Sequence, residues 1–156
     1  MTILPANSTH IPGMIALLKQ VGEVHHQIRP DLFRGGAQKY DEAALERLLA
    51  DKDRPILIAQ ADGQVVGYAF CVFQTIQNDP VLQDRKVLYV DDLCVDERCR
   101  GQGIATALYE QVCALAKESG CGAVTLNVWC GNGKAMAFYE KCGLKPQKIG
   151  MEMVIC

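Results

Sequence analysis

A helix framed by two β runs sets the strongest limit on what this chain can fold into. From Gly103, the residues Ile104, Leu108, Val112, Leu115 and Ala116 recur at helical spacing until Gly120, which suits the left-handed residue that closes a helix. Val87-Leu88-Tyr89-Val90 opens a β pattern before it that runs on through Leu93-Cys94-Val95. Ala123-Val124-Thr125-Leu126-Asn127-Val128 reads as a strand after it. Such a strand-helix-strand unit needs a sheet on which the helix buries its stripe. Earlier in the chain, Ile56-Leu57-Ile58-Ala59 and Val65–Phe73 flank Asp62-Gly63, a pair suited to the positive φ angles of a type I′ hairpin turn. Antiparallel pairing in one half and strand-helix-strand order in the other predict an α/β chain with a mixed, centrally buried sheet.

The remaining elements follow from local signals. Thr2-Ile3-Leu4 is a short strand ended by Pro5, and Ser8 or Thr9 is expected to cap a helix carrying Ile11, Ile15 and Leu18 on one face. Pro30 disfavours helical geometry before it, so His25 to Phe33 are expected to form an irregular connection. A short helix is predicted from Asp41, with Leu45, Leu48 and Leu49 on one side. Asn132 is placed to cap another whose Ala135, Phe138, Tyr139 and Cys142 share a face before Gly143 ends it. Leu144 to Ile149 and Met151 to Ile155 look like two closing strands. No linker or internal repeat divides the 156 residues, which are read as a single domain over 1-156.

Composition narrows the partners. Apolar residues at 49% and charged residues at 22% exclude a disordered chain and allow a sizeable core. A net charge of −2 provides no global field toward nucleic acid or an anionic membrane, and no 18-residue apolar run calls for a bilayer. No charged segment followed by an apolar leader opens the sequence, and a cytoplasmic protein is expected. The eight cysteines form no CxxC pair, and all three histidines precede the first of them. Reduced thiols are therefore expected, with no metal site.

The stretch that carries chemistry is Arg98-Cys99-Arg100-Gly101-Gln102-Gly103-Ile104-Ala105-Thr106, between a strand and the strong helix. Its glycines let the backbone turn sharply, the helix start offers unpaired N–H groups and partial positive charge, and Arg100 adds a cation. Together these suit a pyrophosphate. A dinucleotide-binding turn fits less well, because the third small residue is missing and the turn comes late in the chain. A P-loop fits poorly too: Gly133-Lys134 is followed by Ala135, with Val128 where the first glycine belongs.

Two motifs here resemble those of the GNAT superfamily of acetyl-CoA-dependent N-acyltransferases. Arg100-Gly101-Gln102-Gly103-Ile104-Ala105 meets the family's Q/R-x-x-G-x-G/A signature. Asn132, Ala135, Phe138, Tyr139, Gly143 and Leu144 meet its later N-x-x-A-x-x-F-Y-x-x-x-G-F/L pattern. The resemblance is strongest over residues 87 to 147. It implies a mixed, mostly antiparallel sheet flanked by helices and splayed between its fourth and fifth strands, with the pantetheine arm of acetyl-CoA lying in the gap.

By that resemblance, backbone groups of Leu93, Cys94 and Val95 would pair with pantetheine. Residues Arg100, Gly101, Gln102, Gly103, Ile104, Ala105 and Thr106 would cradle the pyrophosphate, while Asn132 and Lys134 would contact the cofactor arm and its phosphates. Tyr139 matches the tyrosine that protonates the departing thiolate. Tyr89-Val90-Asp91-Asp92 is similar to a polyamine acetyltransferase pattern, and strand alternation puts only one of the two acids in the cleft unless a bulge intervenes. Asp91 is the chosen catalytic and substrate-binding residue. His25, His26, Phe33 and Tyr40 fall where the family builds its variable substrate wall. The implied activity is direct acetyl transfer from acetyl-CoA to a small primary amine, with neither nucleic acid nor membrane as partner. A CoA-binding module without transferase activity is the alternative, an oxidoreductase ranks last, and pairing of the closing strands across a homodimer is a further expectation.

Overall fold

A computed structural model describes residues 1–156. In chain order the elements are β1 (Thr2–Pro5), α1 (Ile11–Ile28), α2 (Glu42–Leu49), β2 (Ile56–Ala61), β3 (Gln64–Ile76), β4 (Arg85–Val95), α3 (Ile104–Glu118), β5 (Ala123–Leu126) and α4 (Gly133–Lys141). The strands lie side by side in sequence order; the first four are antiparallel, and β5 runs parallel to β4 after the α3 crossover. The mixed sheet expected from the sequence is therefore present. Its hairpin turns at Asp62 (φ 50°) and Gly63 (φ 76°), with Ala61 paired to Gln64.

The two faces of the sheet carry separate cores. On one, Met14, Leu17 and Leu18 of α1 and Leu45 of α2 pack with Ile58, Tyr68 and Phe70. On the other, Ile104, Leu108, Val112 and Ala116 of α3 cover Ala69, Leu88 and Val90. Complete burial of one such leucine is worth about 1.5–3 kcal/mol, so these stripes hold the helices firmly to the sheet. Gly67 of β3 permits the closest approach: a Cβ there would stand 3.0 Å from Leu108 and 3.2 Å from Ile104. The first turn of α3 is thereby seated directly on the sheet.

The structure departs from the sequence expectations in three places. Asn7, rather than Ser8 or Thr9, caps the first helical segment, accepting from the Thr9 amide at 2.9 Å, while His10 Nδ1 accepts from the Asn7 amide at 3.0 Å. Next, α1 continues through His25 and His26 to Ile28, so only the residues after it are irregular. Pro30 stops the helix by its local clash but does not reach a full turn upstream, and basic residues are favoured in a last turn. Finally, the two closing strands do not form within the chain. The last main-chain hydrogen bond runs from the Leu144 amide to the Tyr139 carbonyl, and residues 145–156 pair with no strand.

Candidate functional site

The site begins where β4 and β5 part. They pair from Val87 with Ala123 to Val90 with Leu126 and no further, while β4 continues to Val95 bonded only to β3. This is the splay between the fourth and fifth strands, and it leaves the β4 edge from Asp91 to Val95 open. Leu93, Cys94 and Val95 all lie on it. The Cys94 side chain turns the other way, its Sγ 3.8 Å from the Leu17 carbonyl, and burial pushes its thiol up to about 12. Only the backbone of Cys94 serves the open edge.

After β4, Asp96 organises the turn toward α3. It is buried, accepts from the Arg98 amide at 3.0 Å and is clasped by the Arg98 guanidinium at 2.8 Å. That contact lowers its carboxyl to about 2. Because the folded value is depressed, this contribution to stability is complete above the ordinary aspartate range and is lost as the pH falls toward 2.

Gly101 (φ 78°) and Gly103 (φ 79°) then adopt left-handed backbone, and no side chain caps α3. The first bond into the helix runs from the Ala107 amide to the Gly103 carbonyl at 3.0 Å; the amides of Ile104, Ala105 and Thr106 have no partner. Arg100 and Gln102 beside them are exposed. The loop is thus a cluster of free N–H donors at a helix start with an arginine next to it, an arrangement that attracts anions. A Cβ at Gly103 would meet nothing within 4 Å, so the demand for glycine there is conformational rather than steric. Gly103→Ala should cost about 1–2 kcal/mol of loop geometry and weaken CoA binding about tenfold by calorimetry, with the melting temperature much less affected; unchanged affinity would remove this loop from the site.

The two acids of β4 owe their placement to a bulge. Phe70 pairs with Asp92 and Cys71 with Val90, so Asp91 is the extra residue and has no partner on β3. The bulge interrupts the alternation of faces, and both acids reach the α1 side of the sheet. Asp91 Oδ2 accepts from Lys39 Nζ at 2.7 Å and from the Tyr40 hydroxyl at 3.0 Å. Asp92 Oδ2 accepts from the Tyr68 hydroxyl at 2.7 Å. The expectation that only one acid would point this way is corrected. Burial raises the Asp92 carboxyl above the usual aspartate value despite the Tyr68 hydrogen bond and the charges of Lys39 and His25. Burial alone would lower the Lys39 ammonium, but the Asp91 carboxylate overrides it and raises it.

On α4, Tyr139 is half-buried, its ring 6.4 Å from that of Tyr109. Burial first, and then the Asp92 charge, push its phenol well up, so Tyr139 keeps its proton throughout the neutral range and is electrostatically coupled to Asp92. Asn132 spends its side-chain oxygen on the cap of α4, accepting from the Ala135 amide at 3.2 Å, which leaves its NH₂ free. Lys134 is exposed in the same first turn.

The predicted substrate wall is assembled in part. His25 lies 5.0 Å from the Phe33 ring, which meets Trp129 edge-on at 5.3 Å, and Tyr40 packs 5.6 Å from Phe70. His26 faces differently: its Nδ1 is 2.7 Å from the Phe33 carbonyl, so it fastens the loop behind the wall. Two residues of this site escaped the sequence reading. Asp92 was set aside by the alternation rule, although an adjacent acid pair inside a strand is itself unusual. Lys39 sends no local signal and is brought to Asp91 only by the path of the loop before α2.

Residues 22–144 match the model of the Acetyltransferase (GNAT) family. The chain belongs to this family. An uncharacterised N-acetyltransferase of Methanocaldococcus jannaschii is 30% identical over 59% of this chain, and the chain spans only 39% of that relative's length. A probable glucosamine 6-phosphate N-acetyltransferase of rice is 28% identical over 94% of this chain and 81% of its own length. A crystal structure of a mutant BH1408 protein from Bacillus halodurans is 28% identical and covers 100% of both chains at a TM-score of 0.96. GNAT acetyltransferases use acetyl-CoA. The GNAT match takes in the open β4 edge, the Arg100–Thr106 loop and Tyr139, and it stops as the chain leaves α4. No helix of the chain is long and apolar enough to cross a membrane.

Proposed function

We propose that this GNAT protein acetylates a small primary amine by direct attack on acetyl-CoA within a ternary complex. The observation that carries the reading is the pair of carboxylates held on one face of β4 at its open edge, beside a cofactor loop of free amides, in a chain whose Tyr139 keeps its proton because burial and the Asp92 charge raise it. Acetyl-CoA, when bound, supplies the thioester carbonyl that is attacked and the thiolate that leaves. The chain fits it: the free amides of Ile104, Ala105 and Thr106, the turn residues Gly101, Gln102 and Gly103, and Arg100 suit the pyrophosphate. The unpaired edge at Leu93, Cys94 and Val95 suits the pantetheine amides. Asn132, through its free NH₂, and Lys134 border the same arm.

Asp91 holds the incoming ammonium by charge. Asp92, whose carboxyl burial raises above the usual aspartate value, takes its proton, directly or through water, so that a neutral amine attacks. Tyr139 would donate its phenolic proton to the sulfur as the C–S bond breaks, and the second proton that the attacking nitrogen sheds as the amide forms would restore the phenol. Cys71 and Cys94 on the sheet beside the acids are poor candidates for a covalent acyl step, because burial raises both to about 12 and leaves them as thiols. His25, Phe33 and Tyr40 form the wall against which the rest of the amine packs. The rice relative's named substrate is an amine of this size class.

The test is acetyl-CoA-dependent thiol release across polyamines, amino sugars, amino acids and lysine peptides, with the acetylated product identified by mass. Product from a small amine supports the reading; CoA binding without product across the panel would replace it with a non-catalytic CoA-binding module. A second expectation concerns Lys39, whose ammonium occupies Asp91 at 2.7 Å. It competes with a cationic substrate for the same carboxylate. Lys39→Met should lower KM for a cationic amine about three- to tenfold with little change in kcat, an effect of the size expected for one partly exposed charge pair. A higher KM would instead make Lys39 part of the binding surface.

A further inference from the structure

We propose that the chain acetylates its own Lys39 from the acetyl-CoA bound to it, an inference that rests on the transferase reading above. Lys39 lies in the loop between α1 and α2, and its Nζ donates at 2.7 Å to Asp91 Oδ2, the carboxylate assigned to the ammonium of the acceptor. The same oxygen accepts from the Tyr40 hydroxyl at 3.0 Å, and Lys39 Nζ stands 5.5 Å from the centre of the Tyr40 ring. A carboxylate and an aromatic face are what a site for an alkylammonium ion provides. In the free chain that site is already filled by a primary alkylamine, and Lys39 is the one lysine held in an ion pair.

Lys39 also stands at the right end of the cofactor site. The Arg100–Thr106 loop, suited to the pyrophosphate, follows the end of β4, and the unpaired edge at Leu93, Cys94 and Val95 suits the pantetheine amides. An arm that enters past Val95 and runs back along this edge has its sulfur end toward Asp91 and Asp92, where β4 leaves β5 after Val90. The Lys39 side chain is 48% exposed against 20% for Asp91, so its amine is held on one side and open on the other. Residues 34–40 make no main-chain hydrogen bond, and the four-carbon stem of a lysine turns about its own bonds, so Nζ is free to leave the carboxylate for a neighbouring carbonyl carbon.

The step balances with groups already described. Asp92, close enough for its charge and that of Lys39 to act on each other, takes one proton from the ammonium, directly or through water, and later passes it to solvent. The bond from Nζ to the acetyl carbon forms and the C–S bond breaks. Tyr139 protonates the sulfur and is restored by the second proton that the nitrogen sheds, which leaves acetylated Lys39, the free thiol of CoA and one proton in solution. Burial works against the Lys39 ammonium, but the Asp91 carboxylate outweighs it and raises it, so the neutral amine is scarce and the reaction is slow beside turnover of a good substrate. It happens once per chain. Acetylated Lys39 carries no charge, so the modified chain no longer fills Asp91 with its own cation.

Incubation of the intact protein with acetyl-CoA and no added amine, followed by peptide mass spectrometry, tests the proposal. Lys39 should gain one acetyl group at least about tenfold faster than the exposed Lys52, Lys145 and Lys148, as expected for an amine held beside its reaction partner. Its rate constant should not change on dilution, because one chain holds both reactants. Asp92→Asn, checked for folding by circular dichroism, should slow Lys39 to the rate of those exposed lysines and leave theirs unaltered. A saturating cationic amine that the protein acetylates should protect Lys39. The amine panel, run on the same preparation, separates this inference from the reading beneath it. Product from a small amine with Lys39 unmodified would overturn self-acetylation alone, and neither product nor modified Lys39 would overturn both. Modification no faster than that of the exposed lysines, or faster at higher protein concentration, would also overturn it, in favour of uncatalysed acetylation or of transfer between copies.

Discussion

Tyr139→Phe is expected to lower kcat for amine acetylation by about 100-fold or more while leaving the affinity for acetyl-CoA within about twofold, the pattern of a lost general acid. The substitution removes one oxygen from a half-buried ring that no hydrogen bond holds, so the packing of α4 should persist and the melting temperature should barely move. The sign of the phenol's shift sharpens the expectation. Burial and the Asp92 charge both raise it, so Tyr139 carries its proton well beyond neutral pH, and the wild-type rate should show no alkaline loss from this group below about pH 10. Steady-state rates between about pH 7 and 10 for both proteins, with CoA affinity by calorimetry, measure all three terms. A kcat that survives the substitution would leave Tyr139 as a packing residue beside Phe138 and Tyr109.

Asp92→Asn should produce two effects of opposite benefit. Activity with a protonated amine should drop about 100-fold, because the amide keeps the hydrogen bond from Tyr68 but accepts no proton. Stability should rise. The folded carboxyl titrates above its unfolded value, so folding favours the neutral acid. Below the unfolded value both states are protonated and the variant gains nothing; as the pH climbs through the raised folded value, the wild type pays a growing ionisation cost that the amide avoids. Near pH 8 the variant should melt about 2–4 °C higher, the shift that about 1 kcal/mol gives a chain of this size, and the gap should close toward pH 4. The acidic fall in wild-type kcat/KM should lie above the ordinary aspartate range and vanish in the variant. Equal melting temperatures across the pH range would mean that Asp92 is not the strained acid of the site.

Much of this was legible because local chemistry and tertiary placement agree. Asp62-Gly63 has one low-strain use between two β runs, and it is the hairpin. Arg100–Thr106 joins a strand to a strongly amphipathic helix, and the resulting free amides follow from the glycines and from the lack of a capping side chain. What stayed hidden depends on relations between distant residues. The bulge exists only as a mismatch in register between β3 and β4, which no residue of β4 announces by itself. His25 and His26 looked like loop because Pro30 stood near, yet the helix needed only Arg29 to turn away. Lys39 meets Asp91 across 52 positions of sequence. The two closing strands were expected from apolar alternation, yet residues 145–156 form none in the chain, because alternation does not supply the partner edge a strand needs.

The single extra residue in β4 also makes the site sensitive to length in a way that no substitution reproduces. Deleting Asp91 would leave an aspartate next to Val90 in the shortened chain, so an inventory of residue types would record little loss. With the offset gone, however, the strand would regain strict alternation. Either the one remaining acid would stand where two had shared the work, or the frame would slip and turn Leu93 and Val95 from the α3 face toward α1 while Cys94 rotated outward. Insertions at this point would be equally disruptive. Drift in this chain is therefore free to alter the identity of many residues along β4, but the count of residues between Val90 and Val95 is fixed.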